Sequence, residues 1–378
     1  MSQTQDFQYQ DIVFLSHFKG LPDSRQAIKV LYPLSEVLLL ALIGVLCGAD
    51  SWVEIAKFGE KRLDFLRRFA PFENGTPSHD QLGDIFAMLD AEAFQRCFVN
   101  WVSSLTGLAG DVVAIDGKTL RRSYRQAGRK GAIHMISAFS AGQRVVLGQR
   151  KVADKSNEIT AIPQLLELLT LKGAIVTIDA MGCQRDIARK IRDKEADYVL
   201  ALKGNQGTMR EDVELFFEEQ KARNFKDVDV DRFETVEKSH GRIETRTCTA
   251  IDDIGWLRQR HDWAGLTSIV AIRSIREFDG KEERETRYFI SSLPANAEKL
   301  ANAIRSHWTV ENSLHWVMDM VFRDDECRIR KQNAPANFAV VKHIAANLLR
   351  AAPGKDSMRV KRKMTNWDDE FLQSVITP

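Results

Sequence analysis

Three acidic residues occupy positions from which their carboxylates could do chemistry together. Asp116 follows the apolar run 112–115, and Asp179 follows a second apolar run, 174–178. Glu311 lies inside a stretch with helical spacing. Two carboxylates at the ends of neighbouring strands, with a third from a helix, would form a cage for two Mg²⁺ ions. Two such ions, about 3.5–4 Å apart, activate a nucleophile and stabilise the leaving oxygen in phosphoryl transfer.

A basic segment follows the first of these acids, within residues 118–130. It contains six basic residues and no acidic one: Lys118, Arg121, Arg122, Arg125, Arg129 and Lys130. Such a cluster is the electrostatic footprint of a polyanion partner, although a solvated loop has the same composition. We predict that Lys118, Arg121, Arg122 and Arg125 bind backbone phosphates of such a partner, because a cationic loop positions the backbone and reads little sequence. A second cluster is open to the same two interpretations: Arg359, Lys361, Arg362 and Lys363.

The composition, with 44% hydrophobic and 28% charged residues over 378 positions, is typical of a globular protein of two or three domains. Five scattered cysteines without a Cys-x-x-Cys pair favour free thiols in a reducing compartment, so we expect a cytoplasmic protein. The opening residues lack the pattern of a signal peptide. The longest apolar run, 37–47, is too short to span a bilayer, which needs about 20 residues. We therefore expect a buried core helix there and no membrane partner.

The first region, residues 1–107, has apolar spacing typical of helices. Ser78 or Thr76 is a candidate N-cap for one of them. Helix, glycine-containing turn and helix is also the pattern of a helix–turn–helix. This N-terminal helical domain is therefore either a plain bundle or a DNA-binding unit.

Residues 108–204 change to an α/β pattern. Apolar runs and turn signals predict the order β-β-β-α-β-α-β, with a hairpin turn at 140–143. Three hairpin-linked strands and two βα units predict a mixed sheet with helices on its faces. This order matches the ribonuclease H-like fold, in which the fourth strand lies beside the first. Asp116 and Asp179 should then be neighbours at one edge of the sheet.

Residues 205–293 interrupt this core and are predicted to be a β-rich insertion. The core resumes over 294–350, where we expect one long helix from 294 to about 320 with Glu311 in its middle. A last helix follows Pro335. Residues 351–378 are expected to form a polar, basic, loosely ordered tail.

Four segments carry a resemblance to a known family, and they read AIDGK, IDAMGCQ, LKGNQ and HWTVENSLHW. They are residues 114–118, 178–184, 202–206 and 307–316. In this order they resemble the insertion-sequence transposases of the DDE type, in the group of H-repeat-associated proteins. The resemblance extends over nearly the whole chain, and four motifs in the right order are a specific signal.

The resemblance implies a ribonuclease H-like catalytic core that cuts and joins DNA ends with Mg²⁺ or Mn²⁺. Asp116, Asp179 and Glu311 would be both the catalytic residues and the metal ligands. The partners would be the ends of the element and target DNA, with the protein a homodimer when bound to DNA.

One motif departs from the form common in that family. Many insertion-sequence transposases carry Tyr and Arg before the catalytic Glu and Lys after it. Here Ile304 and His307 occupy the first two positions, and Val317 and Met318 stand near the third. The H-repeat group has the His-Trp form of the motif instead, which leaves the roles of His307 and His315 open.

Further polar residues are expected beside the acids. Lys203, Asn205 and Gln206 follow the fifth strand, at the edge that should carry the site, where they could bind phosphates or water. His307 and His315 flank Glu311. Because Mg²⁺ prefers oxygen ligands, each histidine is expected to contact a DNA phosphate or to fix Glu311 by a hydrogen bond.

Other residues near Glu311 have simpler interpretations. Trp308 and Trp316 are expected to pack in the core, with base stacking as the alternative. Asp319 is the next candidate for the third acid. The carboxylates of 324–326 lie past the predicted helix and should be solvated or paired with Arg328 and Arg330.

The sequence therefore predicts a metal-dependent DNA transposase that nicks the element's end and joins the freed 3′-hydroxyl to target DNA. Two alternatives remain open. One is a structure-specific nuclease of the same fold, which would hydrolyse DNA without joining strands. The other is a catalytically silent, DNA-binding relic of a transposase.

Overall fold

A computed structural model describes residues 12–120, 133–152, 157–239 and 241–377. Within these ranges, nine strands form one sheet in the order β3-β2-β1-β4-β5-β9-β8-β7-β6. The strands are β1 Val112–Leu120, β2 Ile133–Ser140, β3 Val146–Lys151, β4 Ile175–Ile178, β5 Asp197–Leu202, β6 Asp231–Ser239, β7 Arg242–Ile251, β8 Ser268–Phe278 and β9 Lys281–Ser291.

The helices precede, interrupt and follow these strands. They are α1 Val13–Phe18, α2 Leu34–Leu46, α3 Trp52–Lys61, α4 Leu63–Leu66, α5 His79–Met88, α6 Ala91–Leu105, α7 Glu158–Leu168, α8 Arg185–Asp193, α9 Gly207–Ala222, α10 Gly255–Arg260, α11 Ala297–His307, α12 Trp316–Met320, α13 Ala334–Ala351, α14 Met358–Trp367 and α15 Asp369–Ile376. Ser78 caps α5 in a capping box with Gln81, as the sequence predicts.

The centre of the sheet is parallel. Strand β4 pairs in parallel with both β1 and β5, whereas the other pairings are antiparallel. This arrangement confirms the predicted α/β, ribonuclease H-like mixed sheet with the fourth strand beside the first. Strand β9 pairs with β5, so β6–β9 of the β-rich insertion extend the same sheet.

Helices cover the two faces of this sheet, and alternate residues of each strand point to opposite faces. On β4, Ile175 packs in the cluster that includes Leu300 of α11, whereas Val176 packs in the larger cluster with α7 and α8. Val199 and Leu200 on β5 divide in the same way. The α11 face is therefore distinct from the α7 face.

The amino-terminal helices are part of the larger cluster, and α13 packs between them and the sheet. Helix α13 contacts α2, α5, α6 and strand β3. Residues Val37 to Leu46 of α2 are buried, which confirms the predicted core helix. None of the helices in the described ranges is long and apolar enough to cross a membrane. All five cysteines are free thiols.

The expectation of a loosely ordered tail after residue 350 is wrong, because α14 and α15 occupy this segment. Arg362, from the predicted basic cluster, is buried and donates hydrogen bonds to the carbonyl of Val45 (3.0 Å) and to Asp50 (2.8 Å). Lys361 is also buried and donates to the carbonyl of Ala352. Two of the four basic residues in this cluster thus fasten the last helices to the core.

Candidate active site

Asp116 lies within strand β1, which continues to Leu120, five residues beyond the end of the apolar run at Ile115. Its Cα pairs with that of Ser137 on β2. Because alternate residues share a face, Asp116 is on the same face as Val112, which packs against the α11 cluster. Asp116 therefore points to the side of the sheet from which Glu311 arrives.

Asp179 follows the last residue of β4. Ile178 pairs with Ile115 across the parallel ladder, so Asp116 and Asp179 directly follow a pair of matched residues. The Asp179 carboxylate accepts hydrogen bonds from the backbone N–H groups of Met181 (3.0 Å) and Gly182 (3.4 Å). These bonds fix the Asp179 side chain at the carboxyl end of β4.

Glu311 begins a π-helical turn, Glu311–His315, between α11 and α12. The expectation of one continuous helix is therefore wrong. In this turn the N–H of Trp316 donates to the carbonyl of Glu311, five residues back. Such turns insert an extra residue into a helix and occur frequently at functional sites, because they re-aim a side chain.

One cleft of about 380 Å³ brings these residues together. Its lining includes Asp116, Asp179 and Glu311, and we call it the acid cleft. Other residues that matter here also line it: Thr177, Lys203, Arg210, Arg287, His307 and Trp308. The tertiary structure thus collects two strands and a helical turn around a single space.

Several acidic side chains lie close together in and beside the acid cleft, and their negative charges repel one another. Burial, together with the charges of Asp179, Glu158 and Glu311, raises the pKa of Asp116 to about 6. Desolvation and like charges both disfavour an ionised carboxyl group. A bound cation would relieve this repulsion.

The donor set fits a hard divalent cation, because carboxylate oxygens are the ligands that Mg²⁺ prefers. Among the described residues, no three His, Cys, Asp or Glu side chains are grouped so that they could hold a metal ion as they stand. The three carboxylates share the cleft but would need to turn to a common point. The raised pKa of Asp116 supports the fit, since it records repulsion that a cation would remove.

The two histidines that flank Glu311 are neutral at pH 7. Burial lowers the pKa of His307, whose Nδ1 lies 3.1 Å from the Thr177 hydroxyl. Burial and the nearby charge of Lys118 lower the pKa of His315 to about 4. His315 Nδ1 lies 3.5 Å from Asp116 Oδ2, and at neutral pH this contact joins a neutral ring to the carboxyl group. Both rings hold their positions by polar contacts with β1 and β4.

Lys118 is engaged inside the protein. Its Nζ pairs with Asp319 on α12 and lies 3.7 Å from Asp324. Asp324 is buried and also pairs with Lys342 at 2.9 Å. The expectation that Asp324 is solvated or paired with neighbouring arginines is therefore wrong. Asp319, the reserve candidate for the third acid, serves this network and is absent from the lining of the acid cleft.

The three residues after β5 divide into two groups. Lys203 is exposed and lines the acid cleft. Asn205 donates to the carbonyl of Ala180 at 2.6 Å, and Gln206 donates to that of Cys183 at 2.9 Å. These two amides hold the turn that follows Asp179.

The remaining candidates lie on the surface or outside the described ranges. Arg121, Arg122 and Arg125 fall outside the described residues. Trp308 lines the acid cleft, and Trp316 is 58% exposed, so the expectation that both pack in the core is wrong.

Sequence reasoning missed a pair of residues on the α7 face. Glu158, the first residue of α7, pairs with His134 Nε2 at 2.5 Å. Both lie against Gly117, where an added Cβ would clash with Glu158 and approach His134 Nε2 to 2.6 Å. Only the backbone of β1 thus separates this pair from the face of Asp116. An acid in the first turn of a helix is ordinary, so no local signal marked Glu158.

Arg350, near the end of α13, was also missed. It is part-buried over the ring of Phe139 and donates a hydrogen bond to the carbonyl of Ser313 in the π-turn. An arginine at a helix C-terminus is common, so its role depends on a contact that only the fold creates.

Comparison with known proteins places this geometry in a family. The model described as "Transposase DDE domain" matches residues 107–348, a range that contains Asp116, Asp179 and Glu311. The chain belongs to the DDE transposase family. A second model, described as "DDE_Tnp_1-associated", matches residues 15–102 in the amino-terminal helices.

Some relatives match over nearly the full chain, and another matches a short part of it. The "H repeat-associated putative transposase YhhI" of Escherichia coli strain K12 is 42% identical over 96% of this chain and 97% of its own length. "Putative protein YbfL" from the same strain is 43% identical with the same coverage. A third relative, named "Inactive transposase YbfQ", is 45% identical over 19% of this chain and 84% of its own length. The chain is therefore a DDE-type member of the H-repeat group, as the motifs predicted.

Proposed function

We propose that this protein is a transposase that cleaves DNA at the ends of an insertion element and joins them to target DNA, using divalent metal ions. The observation that carries the proposal is the acid cleft, to which two paired parallel strands and a π-turn deliver Asp116, Asp179 and Glu311. Family membership supports the same conclusion.

The three carboxylates would hold Mg²⁺ or Mn²⁺. When bound, such ions activate the attacking oxygen and stabilise the leaving oxygen of an in-line displacement. Asp179 is oriented for this by its two backbone N–H donors, and Glu311 by the π-turn. The neutral His315 beside Asp116 adds no positive charge that would compete with a cation.

The surrounding residues would place the DNA strand. Lys203 is exposed on the cleft wall and can contact a phosphate as a point charge. Asn205 and Gln206 are better suited to holding the turn after Asp179, because their amides are already bonded to its carbonyl groups. Two element ends brought together would need two copies of the chain, so we expect a homodimer on DNA.

The experiment that tests the proposal compares three variants with a matched control. Asp116→Asn, Asp179→Asn and Glu311→Gln should each abolish cleavage of labelled element-end DNA in Mg²⁺ or Mn²⁺, with DNA binding kept or slightly tighter because one negative charge near phosphate is lost. Asp319→Asn is the control, since this carboxylate pairs with Lys118 outside the cleft. Cleavage by the three variants at the parent rate would refute the assignment.

A second assay separates the alternatives. Wild-type protein that cleaves the ends and transfers them into a supercoiled target plasmid is a transposase. Cleavage without any joined product would identify a nuclease of the same fold. Binding without cleavage in either metal would identify a silent relic.

A further inference from the structure

Beyond the acid cleft, the same face of the sheet changes from apolar to charged. On β7, Ala250 and Cys248 are buried in the cluster with α11, and the next residues on that face are Arg246, Glu244 and Arg242. On β9, Phe289 packs in this cluster and is preceded on the same face by Arg287 and Glu285. Alternate strand residues share a face, so the charged side chains continue the surface that α11 covers.

These charged residues line a pocket of about 370 Å³ between the sheet and the carboxyl-terminal half of α11. We call it the arginine pocket, after its five arginines: Arg242, Arg246, Arg276, Arg287 and Arg305. Its volume is within the range of pockets that hold small ligands and exceeds the need of a single water or bare ion.

A buried carboxylate organises this pocket. Glu244 is 4% exposed and pairs with Arg246 (2.7 Å), Arg276 (3.1 Å) and Arg242 (3.4 Å). Burial alone would raise the pKa of Glu244, but the hydrogen bond from Arg276 and the charges of Arg246 and Arg242 hold it below its usual range. Glu244 therefore stays ionised and keeps three guanidinium groups in fixed positions.

The guanidinium groups exceed the acceptors available to them within the pocket. Among the described residues, two carboxylates line it, Glu244 and Glu237, and Glu237 pairs with Arg305 (2.9 Å) and Arg246 (3.2 Å). Arg276 also lies 3.6 Å from both Glu283 and Glu285. Five guanidinium groups carry about 25 N–H donors, whereas the four carboxylates that pair with them offer about 16 acceptor sites. Glu285 pairs with Arg287 at 2.7 Å, but its side chain lines the acid cleft instead. The pocket thus presents spare, pre-oriented donors of the kind that bind phosphate in pairs.

The arginine pocket adjoins the acid cleft. The two spaces share four wall residues: Arg287, Phe289, Ile304 and Trp308. The Arg287 guanidinium also lies over the Trp308 ring, 5.5 Å from its centre. A strand whose scissile phosphate is in the acid cleft would have its neighbouring phosphates within reach of these arginines.

We propose that the arginine pocket binds the backbone phosphates of the DNA strand that enters the acid cleft. The identity of the ligand as DNA rests on the proposed function. Phosphate contacts of this kind fix the position of a strand and carry no sequence information. The pocket therefore sets where the strand lies, and the acids act on the phosphate placed between them.

The test uses full-length protein, a fluorescently labelled mixed-sequence duplex and a matched pair of double variants. Arg242→Gln/Arg305→Gln removes two rim arginines that are 52% and 53% exposed, each paired with one glutamate. Arg189→Gln/Arg223→Gln is the control, with arginines 56% and 63% exposed and each paired with one aspartate. Both double variants lose two positive charges, and all four of the substituted arginines are more than half exposed.

The pocket variant should bind the duplex roughly fivefold to tenfold more weakly per contact near 0.1 M salt, and its plot of log affinity against log salt should flatten by about 0.9 per contact. The control variant should keep the parent slope. An unchanged slope in the pocket variant overturns the proposal, even when wild-type protein cleaves DNA. A flattened slope in a protein that never cleaves would instead refute the proposed function and leave the pocket assignment standing.

A further arm distinguishes DNA from a free phosphate compound. ADP and inorganic pyrophosphate are titrated into wild-type protein and the pocket variant by calorimetry. The wild-type protein could bind one of these compounds tightly while the pocket variant does not. If the salt slope for DNA is also unchanged in the pocket variant, the pocket binds a small ligand and its assignment to DNA is overturned.

Discussion

Arg350 and Ser313 connect the last long helix of the core to the turn that carries Glu311. The Arg350 guanidinium donates to the Ser313 carbonyl, two residues beyond the start of the π-turn. A π-turn leaves backbone carbonyls outside the regular helical ladder, and here one of them is satisfied by a side chain from α13. The position of Glu311 therefore depends on a residue 39 positions later in the sequence.

Arg350→Met should lower cleavage more than DNA binding. It leaves the Ser313 carbonyl without this donor, at a cost of about 1–3 kcal/mol in stability, and frees the turn that aims Glu311. A misplacement of about 1 Å can slow catalysis about 100-fold, so we expect a loss of at least tenfold in single-turnover rate at saturating DNA. Arg323→Met, at an exposed arginine paired with Glu326, is the control. Equal losses of rate in both variants would contradict the positioning role.

Asp116→Asn should stabilise the protein in metal-free buffer at pH 7. The native pKa of Asp116 is about 6, above the value of about 3.9 in an unfolded chain, so the native state holds this proton more tightly. The free energy of unfolding of the wild type therefore falls as pH rises from about 4 through 6. At pH 7 the raised pKa of Asp116 lowers the free energy of unfolding of the wild type by up to roughly 3 kcal/mol. The variant has no carboxyl group at this position and avoids that loss.

Thermal unfolding of both proteins between pH 4 and 8 measures this effect. The stability advantage of Asp116→Asn should shrink towards zero as pH approaches 4. Mg²⁺ should raise the melting temperature of the wild type at pH 7 and that of the variant much less. Asp186→Asn, at an exposed carboxylate on α8, controls for the substitution itself. A constant difference at every pH would rule out the titration of Asp116 as its origin.

Gly117→Ala should destabilise the site through a steric clash. Gly117 does not have a positive φ, so alanine can adopt the same backbone conformation. The new methyl group would meet Glu158 and His134, which must move apart from the strand. Overpacking of this kind costs about 1–3 kcal/mol, and we expect cleavage to fall with it because Asp116 is the adjacent residue. Gly204→Ala is the control, since nothing lies within 4 Å of its added Cβ. If the melting temperature and the cleavage rate of Gly117→Ala are unchanged, then Glu158 and His134 can move away from β1 at no measurable cost.

Lys342→Met should be strongly destabilising. Lys342 is buried and pairs with buried Asp324, so its removal leaves a desolvated carboxylate. Breaking a buried pair costs about 3–5 kcal/mol, and the lower end applies because Lys118 remains 3.7 Å from Asp324. Denaturant unfolding of the single variants and of Lys342→Met/Asp324→Asn completes a double-mutant cycle. The double variant should lose less stability than the two single losses combined, whereas simple additivity would mean that the pair is uncoupled.

Much of the site was readable from the sequence because it depends on local patterns. Apolar runs that end in Asp116 and Asp179 predict strands, and the order of strands and helices predicts that β4 lies beside β1 in a parallel pair. Because β1 and β4 are parallel and Ile115 pairs with Ile178, the two aspartates that follow these residues lie side by side. The sequence motif around Glu311 predicted the third acid, and the structure places Glu311 on the wall of the acid cleft. The family comparison agrees with the H-repeat group to which that motif pointed.

Only the tertiary structure decided which charged residues line the two cavities and which hold the protein together. Lys118 and Arg362 belong to basic clusters in the sequence, yet Lys118 is committed to Asp319 and Arg362 to Asp50. The arginines of the arginine pocket come from three strands and a helix, so they form no cluster along the chain. Charge composition is a local property, whereas burial and partners depend on contacts between residues far apart in sequence. For that reason the sequence by itself predicted the three acids and determined their family, and the fold determined the cations that surround them.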